Sequence, residues 1–88
     1  MDGYVYILQN PKNNRFYIGS TVSIERRFTE HNSGQVTATK YLIPWELKFF
    51  QKYSSIAEAR RIEYRLKQLK KREVIENIIE KQEIIMSI

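Results

Sequence analysis

The chain contains no cysteine and a single histidine, His31, among its 88 residues. The lack of cysteine excludes disulfide bonds, thiolate metal ligands, thiol nucleophiles and redox chemistry together. The lone histidine excludes a metal site built from several imidazoles.

Long apolar stretches are also missing. No window approaches the roughly 18 apolar residues that a membrane-spanning helix needs, and residues 1–3 lead directly into a strand-like run instead of a signal peptide. We therefore expect a cytoplasmic protein that has no membrane partner. At 88 residues, of which 42% are hydrophobic, the chain is expected to form one domain over 1–88, because it has no room for two cores.

Positive charge is concentrated in one stretch. The formal net charge is +5, and the segment 60–72 holds seven basic residues and one acid, Glu63. A local positive field indicates a polyanionic partner such as nucleic acid, although the ordinary alternative is a solvated helix face. The predicted nucleic-acid contacts are Lys40, Arg60, Arg61, Lys67, Lys70 and Lys71.

Turn formers and apolar periodicity predict an α/β protein of the α+β type. It should have a small three-stranded, mainly antiparallel sheet flanked by helices, in the order β-β-α-β-α-α. The third strand is expected to place Trp45, Leu47 and Phe49 in alternation against polar residues, and the second helix begins with a capping box, Ser55 followed by Glu58. The predicted strands are 4–9, 15–20 and 45–53. The predicted helices are 24–32, a second helix whose apolar positions run from 56 to 69, and a third at about 73–85.

Aromatic side chains of the predicted hairpin share one face of the sheet. Two registers are compatible with a tight turn: Tyr6 opposite Tyr17, or Tyr6 opposite Gly19. In either case Tyr4, Tyr6, Tyr17 and Gly19 lie on the same side, since alternate residues of a strand share a face. A glycine within a strand marks a bulge or the close approach of another group.

Two helices carry ionisable residues where the periodicity expects apolar ones. In the first helix, Arg27 and His31 occupy the stripe that its apolar residues mark as core-facing. In the second helix, Glu63 lies at the edge of the apolar stripe. Ordinary ion pairs remain an alternative for both charges, with Glu30 or Glu63 as the partner of Arg27, and a basic neighbour as the partner of Glu63.

These residue types supply what phosphodiester cleavage requires. A guanidinium such as that of Arg27 can stabilise the extra negative charge of the transition state with two parallel hydrogen bonds. Magnesium commonly takes only one or two protein carboxylates and fills its other positions with water and phosphate oxygens, so Glu63 alone could hold it. A phenol, Tyr17 or Tyr6, can take a proton from water where nearby positive charge favours the phenolate.

The ordered set resembles a known family. Tyr4-Val5-Tyr6, then Tyr17-Ile18-Gly19, then Arg27 ten positions beyond Tyr17, and Glu63 in a later helix resemble the GIY-YIG nuclease domain. The resemblance covers about residues 3–75 and is greatest to the short, stand-alone bacterial members. It implies a small sheet flanked by helices and metal-dependent hydrolysis of DNA with a single Mg²⁺ or Mn²⁺, with a role in DNA repair or recombination.

The resemblance also implies a role for each matching residue. Ser20 departs from the pattern, because some repair-type members carry a lysine there. The implied roles are water activation for Tyr17, support of that tyrosine for Tyr6, close packing for Gly19, transition-state stabilisation for Arg27, assistance in proton transfer for His31, and metal binding for Glu63.

Two other functions remain open from the sequence. The chain could be a nucleic-acid-binding module that has lost turnover or that acts only with a partner supplying the target. DNA is the expected partner, and RNA is not excluded by any residue. The apolar end at Ile84, Ile85, Met86 and Ile88 could dock another protein or a second copy, so the oligomeric state stays undetermined.

Overall fold

The computed structural model of the protein describes residues 1–85. Its elements follow the predicted order β-β-α-β-α-α, and a short 3₁₀ turn precedes the third strand. The elements are β1 Gly3–Gln9, β2 Phe16–Thr21, α1 Ile24–Asn32, the 3₁₀ turn Lys40–Leu42, β3 Glu46–Tyr53, α2 Ile56–Leu69 and α3 Arg72–Lys81.

The sheet is antiparallel throughout, with the strand order β2-β1-β3. Tyr6 lies opposite Gly19, and Tyr17 lies opposite Leu8, so the structure adopts the second of the two registers considered for the hairpin. The predicted common face is confirmed. It places the two phenols diagonally across neighbouring strands, with the ring centroids of Tyr6 and Tyr17 6.4 Å apart.

An irregularity between Ile7 and Leu8 shifts the register of β1 against β3. Leu47 consequently packs on the face of Leu8, whereas Phe49 is buried on the opposite face. The predicted uninterrupted alternation from Trp45 to Phe49 is therefore wrong, because alternation holds only while the ladder has no bulge.

Each face of the sheet has its own apolar core. Helices α2 and α3 cover one face, where Val5 and Ile7 pack against the inner stripes of both helices. Helix α1 and the segment that follows it cover the other face, around Tyr6, Leu8 and Trp45. Tyr6 and Tyr17 therefore line the smaller core, and α1 covers it.

Helix boundaries follow local capping. The Ser23 hydroxyl accepts a hydrogen bond from the Arg26 amide, and the Ser55 hydroxyl accepts one from the Glu58 amide, so both predicted N-caps are confirmed. Helix α3 ends at Lys81 and is shorter than predicted, because Gln82 adopts a left-handed backbone with φ 56°.

The chain beyond α3 turns back to the sheet. The Ile84 amide donates to the Gln51 side chain, and the Ile84 side chain is buried in the core against α2 and α3, while Ile85 is exposed. Part of the predicted apolar docking end therefore completes the protein's own core. Met86 and Ile88, the rest of that prediction, lie outside the described residues. Among the helices of residues 1–85, none combines the length and apolar character of a membrane span.

Candidate active site

A buried chain of hydrogen bonds connects β1, α1 and the following loop. The Tyr6 hydroxyl lies 2.8 Å from His31 Nε2, and the Thr39 hydroxyl lies 2.8 Å from His31 Nδ1. The Thr39 hydroxyl also donates to the carbonyl oxygen of Val36 at 3.5 Å, so its oxygen accepts the hydrogen on Nδ1. His31 Nε2 is then unprotonated and accepts the hydrogen of the Tyr6 hydroxyl.

Burial keeps both members of the Tyr6–His31 pair neutral. Tyr6 is 3% exposed, and burial raises its pKa to about 12, an effect that the nearby Arg27 guanidinium partly offsets. His31 is fully buried, and burial, aided by the positive charge of Arg27, lowers its pKa to about 4. At neutral pH the imidazole therefore serves as an uncharged acceptor that fixes the orientation of the phenol.

Arg27 projects from α1 toward the Tyr6 hydroxyl at the rim of this core. Its guanidinium donates to Glu30 Oε1 at 3.0 Å, one of the two ion pairs considered from the sequence. The hydrogen bond to Glu30 raises the pKa of Arg27 above its usual value, although partial burial opposes the rise. About a third of the side chain, 35%, stays exposed, so the group is held in place and still reachable from solvent.

Tyr17 differs from Tyr6 in the surroundings of its hydroxyl. Its half-buried ring packs edge-on against His31, with 4.9 Å between the ring centroids, and contacts Trp45 on the other side. Within residues 1–85 its hydroxyl forms no hydrogen bond. The Tyr6 hydroxyl is therefore held in a hydrogen bond, whereas the Tyr17 hydroxyl is available to another group.

Gly19 creates the space through which the Tyr6 ring crosses β2. A Cβ atom at this position would lie 2.5 Å from Tyr6 Cζ and closer still to the hydroxyl oxygen. The close approach expected from a glycine inside a strand is thus present, and the approaching group is the Tyr6 phenol.

Glu63 reaches the same region from α2, around the outer edge of β2. The Ser20 hydroxyl donates to its Oε1, and Lys67 Nζ lies 2.7 Å from its Oε2. Lys67 Nζ also lies 5.5 Å from the centre of the Tyr17 ring. The negative charge of Glu63 contributes to the raised pKa of Tyr6. The carboxylate, 19% exposed, therefore borders the tyrosine cluster.

The single carboxylate of Glu63 suits one hydrated divalent cation. No group of three or more acidic, histidine or cysteine side chains gathers anywhere in residues 1–85. Zinc, which takes three or four protein ligands, does not fit this set, whereas Mg²⁺ or Mn²⁺ held by one carboxylate does. Lys67, which is 47% exposed, can swing into solvent and free Oε2 for the cation.

The structure thus brings together all six residues that the sequence singled out for the site. Of the predicted nucleic-acid contacts, Lys67 pairs with Glu63, and Arg60 lines a cavity next to Arg27. The others lie elsewhere on the exposed surface: Arg61 on α2, Lys70 and Lys71 between α2 and α3, and Lys40 against the Tyr41 ring. The gathered site residues are Tyr6, Tyr17, Gly19, Arg27, His31 and Glu63.

Sequence reasoning missed Thr39 and Ser20. Thr39 lies in a loop without periodicity and is fully buried, with its hydroxyl bonded to His31 and its carbonyl accepting from Trp45 Nε1 at 3.0 Å. Ser20 was noted only as a departure from the family pattern. Its place directly after Gly19 at the end of β2 was the available signal, because neighbouring residues of a strand face opposite sides and Ser20 thus points toward α2.

Comparison with known proteins places the chain in a family. The GIY-YIG catalytic domain model matches residues 2–77. A UPF0213 protein of Halobacterium salinarum is 36% identical over 75% of this chain and 86% of its own length. A UPF0213 protein of Staphylococcus haemolyticus is 35% identical over 89% of this chain and 95% of its own length.

A solved structure agrees with the fold. The solution NMR structure of a UPF0213 protein from Bacillus halodurans matches with a TM-score of 0.57 and 34% identity, covering 93% of this chain and 87% of that one. The three antiparallel strands and three helices in the order β-β-α-β-α-α correspond to that fold. The chain therefore belongs to the GIY-YIG catalytic domain family, which is part of the endonuclease superfamily.

Proposed function

We propose that the protein is a metal-dependent endonuclease that hydrolyses phosphodiester bonds of DNA. The observation that carries the proposal is the convergence of an available phenol, a guanidinium and a lone carboxylate, contributed by β2, α1 and α2, at the edge of β2. Arg27 and Glu63 each pair with a residue of their own helix, Glu30 and Lys67, but such pairs do not require the two side chains to meet Tyr17 at one edge of the sheet.

Arg27 is positioned to hold the scissile phosphate. Its fork of donors matches phosphate oxygens, and the interaction strengthens as negative charge builds up in the transition state. Glu30 holds the guanidinium from one side at 3.0 Å and the Tyr6 hydroxyl is its second partner, which leaves other donors of the fork for a phosphate. The result is a preorganised cation that needs little rearrangement during the reaction.

Tyr17 is the phenol assigned to the attacking water. Its hydroxyl has no partner among the described side chains, so it can contact water, while the Tyr6 hydroxyl is bound to His31 and has a pKa raised to about 12 by burial. Tyr6 supports Arg27 and packs beside Tyr17. His31 has both ring nitrogens engaged within the core, so its contribution is to orient Tyr6 instead of exchanging protons with substrate.

Glu63 would hold a divalent cation, Mg²⁺ or Mn²⁺, and that cation would supply positive charge for the leaving oxygen. Ser20 holds Oε1 of Glu63, and Oε2 pairs with Lys67, whose Nζ lies 5.5 Å from the centre of the Tyr17 ring. Such partners of a metal ligand commonly change metal affinity or activity by about 10–100-fold.

The family and the charge distribution favour DNA as the substrate, and no described feature selects base sequence. Contacts from Arg60 and Lys67 would go to phosphates, which position a nucleic acid without reading it. Participation in DNA repair or recombination would follow if branched or flapped DNA is cut faster than duplex.

The test is nicking of supercoiled plasmid, together with labelled single-stranded, branched and RNA substrates, with Mg²⁺ or with EDTA. We expect metal-dependent cutting that Glu63→Gln abolishes without loss of the fold, and that the matched surface variant Glu80→Gln retains. Arg27→Ala should lose rate at every metal concentration, because its charge acts on the phosphate and not on the cation.

Three results would contradict parts of this proposal. Full cleavage by Glu63→Gln would remove the metal assignment, and recovery of Arg27→Ala by excess metal would remove the role of Arg27. Salt-sensitive binding of DNA without any cutting would identify the chain as a non-catalytic or partner-dependent binding module on the same fold.

A further inference from the structure

The positively lined cavity to which Arg60 contributes lies next to Arg27. It has a volume of about 270 Å³ and opens between the end of β2, the first turns of α1 and the first turns of α2. The end of β2 and the following residue form one wall, and Ile56 contributes the apolar part of the lining. Three guanidiniums, those of Arg26, Arg27 and Arg60, complete it.

The lining contains no carboxylate, so the charge of the cavity is strongly positive. Arg26 and Arg27 share one acid, Glu30, at 3.8 Å and 3.0 Å. Arg60 has no acidic partner within residues 1–85, although Glu63 lies only one helical turn further along α2. That glutamate is turned toward Ser20 and Lys67 instead. Three cations facing one another with a single shared anion repel, and an anionic ligand removes that repulsion.

The cavity and the candidate active site share a wall. Arg27 borders the Tyr6 hydroxyl on one side and the cavity on the other, and Ser20 belongs to the cavity lining while its hydroxyl holds Glu63. A phosphate at the tyrosine cluster and a second phosphate in the cavity would therefore lie on opposite sides of one guanidinium. This is the arrangement that a continuous sugar–phosphate strand can satisfy.

We propose that this cavity is a binding subsite for the phosphate that neighbours the scissile phosphate on the same nucleic-acid strand, with Arg60 as its principal ligand. The proposal rests on the function proposed above and adds to it the place where the adjoining nucleotide is held. Arginine is suited to this task because its planar fork binds two phosphate oxygens at once, which the point charge of a lysine cannot do.

The experiment measures binding without cleavage, in EDTA, of a fluorescein-labelled single-stranded DNA of about ten nucleotides. The variants are Arg60→Gln, Arg60→Lys and the control Arg15→Gln. Arg15 is an exposed arginine that precedes β2, and Ser20 lies five residues further on, or roughly 16 Å away at about 3.3 Å per residue. Arg15→Gln removes the same charge without touching the cavity.

We expect Arg60→Gln to weaken binding about tenfold and Arg60→Lys to weaken it about threefold, whereas Arg15→Gln should change it by less than about twofold. Equal losses for Arg60→Gln and Arg15→Gln, or wild-type binding by Arg60→Lys, would overturn the proposal, because diffuse attraction depends only on charge.

The readout separates this inference from the proposed nuclease activity. Wild-type protein that cuts DNA, combined with normal binding by Arg60→Gln, refutes the subsite and leaves the nuclease standing. Wild-type protein that binds DNA through Arg60 and does not cut refutes the nuclease and supports only the part of the inference that makes Arg60 a phosphate ligand. Wild-type protein that neither binds nor cuts refutes both.

Discussion

Replacing Thr39 by valine removes one hydroxyl from the buried chain that ends at the Tyr6 phenol and keeps the shape of the side chain. The Thr39 oxygen accepts the Nδ1 hydrogen of His31 at 2.8 Å, and both residues are fully buried. The bond from Trp45 Nε1 is preserved, because it goes to the backbone carbonyl of residue 39. The Val36 carbonyl loses the Thr39 hydroxyl at 3.5 Å but keeps the amides of Thr39 and Lys40, so the main loss is the hydrogen bond to His31.

The magnitude follows from what the imidazole loses. A buried donor left without a partner costs about 1–3 kcal/mol, so the variant should lose that much unfolding free energy if His31 keeps its hydrogen on Nδ1. Moving the hydrogen to Nε2 replaces the unpaired donor at Nδ1 with an unpaired acceptor, and Nε2 would then donate to the Tyr6 oxygen. The phenol hydrogen would turn away from His31, and the Tyr6 oxygen would have one lone pair fewer to offer Arg27.

Long-range ¹H–¹⁵N spectra of the His31 ring distinguish these states. Wild type should show a protonated Nδ1 and an unprotonated Nε2, whereas Thr39→Val should show the reversed tautomer, or the same tautomer with a stability loss of about 1–3 kcal/mol in urea unfolding. Thr39→Ser, which retains the hydroxyl, should behave as wild type. A Thr39→Val protein with both the wild-type tautomer and wild-type stability would refute the reasoning.

Further consequences of the site geometry can be measured separately. Gly19→Ala should displace the Tyr6 ring, since the new Cβ would lie 2.5 Å from Cζ, and cost about 1–3 kcal/mol in thermal or urea unfolding; unchanged stability would contradict the close contact. Ser20→Ala should raise the Mg²⁺ concentration for half-maximal cleavage about tenfold with little change at saturation, and an unchanged metal dependence would exclude its role in orienting Glu63. Because burial lowers the pKa of His31 from 6.5 to about 4, the neutral form is favoured in the folded state, so unfolding free energy should fall by about 3 kcal/mol as pH drops from 6.5 to 4. In His31→Gln this acid-side loss should disappear, and an identical pH profile for both proteins would disprove it.

The sequence predicted those parts of the fold that depend on local signals. The caps at Ser23 and Ser55 are the residues at which α1 and α2 begin, and the order of elements is correct because turn formers and apolar periodicity are short-range features. The placement of Arg27 and His31 on a core-facing stripe was also predictable, since a helix of 3.6 residues per turn determines which residues share a face.

Features that depend on long-range packing could not be predicted in the same way. The register shift between Ile7 and Leu8, which separates Leu47 from Phe49, arises where β1 meets β3 some 40 positions along the chain. The end of α3 at Lys81 reflects the return of Ile84 to the core rather than a loss of helical periodicity. Neither feature can be recognised from a short stretch of sequence, because each depends on contacts between distant parts of the chain.

The site and the smaller core are one structure, and this determines how its residues should be tested. Tyr6, His31 and Thr39 are buried among the side chains that hold α1 against the sheet, so their removal weakens the fold and the chemistry together. Arg27, Glu63 and Arg60 lie at or outside the rim and can be exchanged with little loss of packing. Activity lost through a rim variant therefore reports on chemistry, whereas loss through a core variant is informative only beside a stability or tautomer measurement.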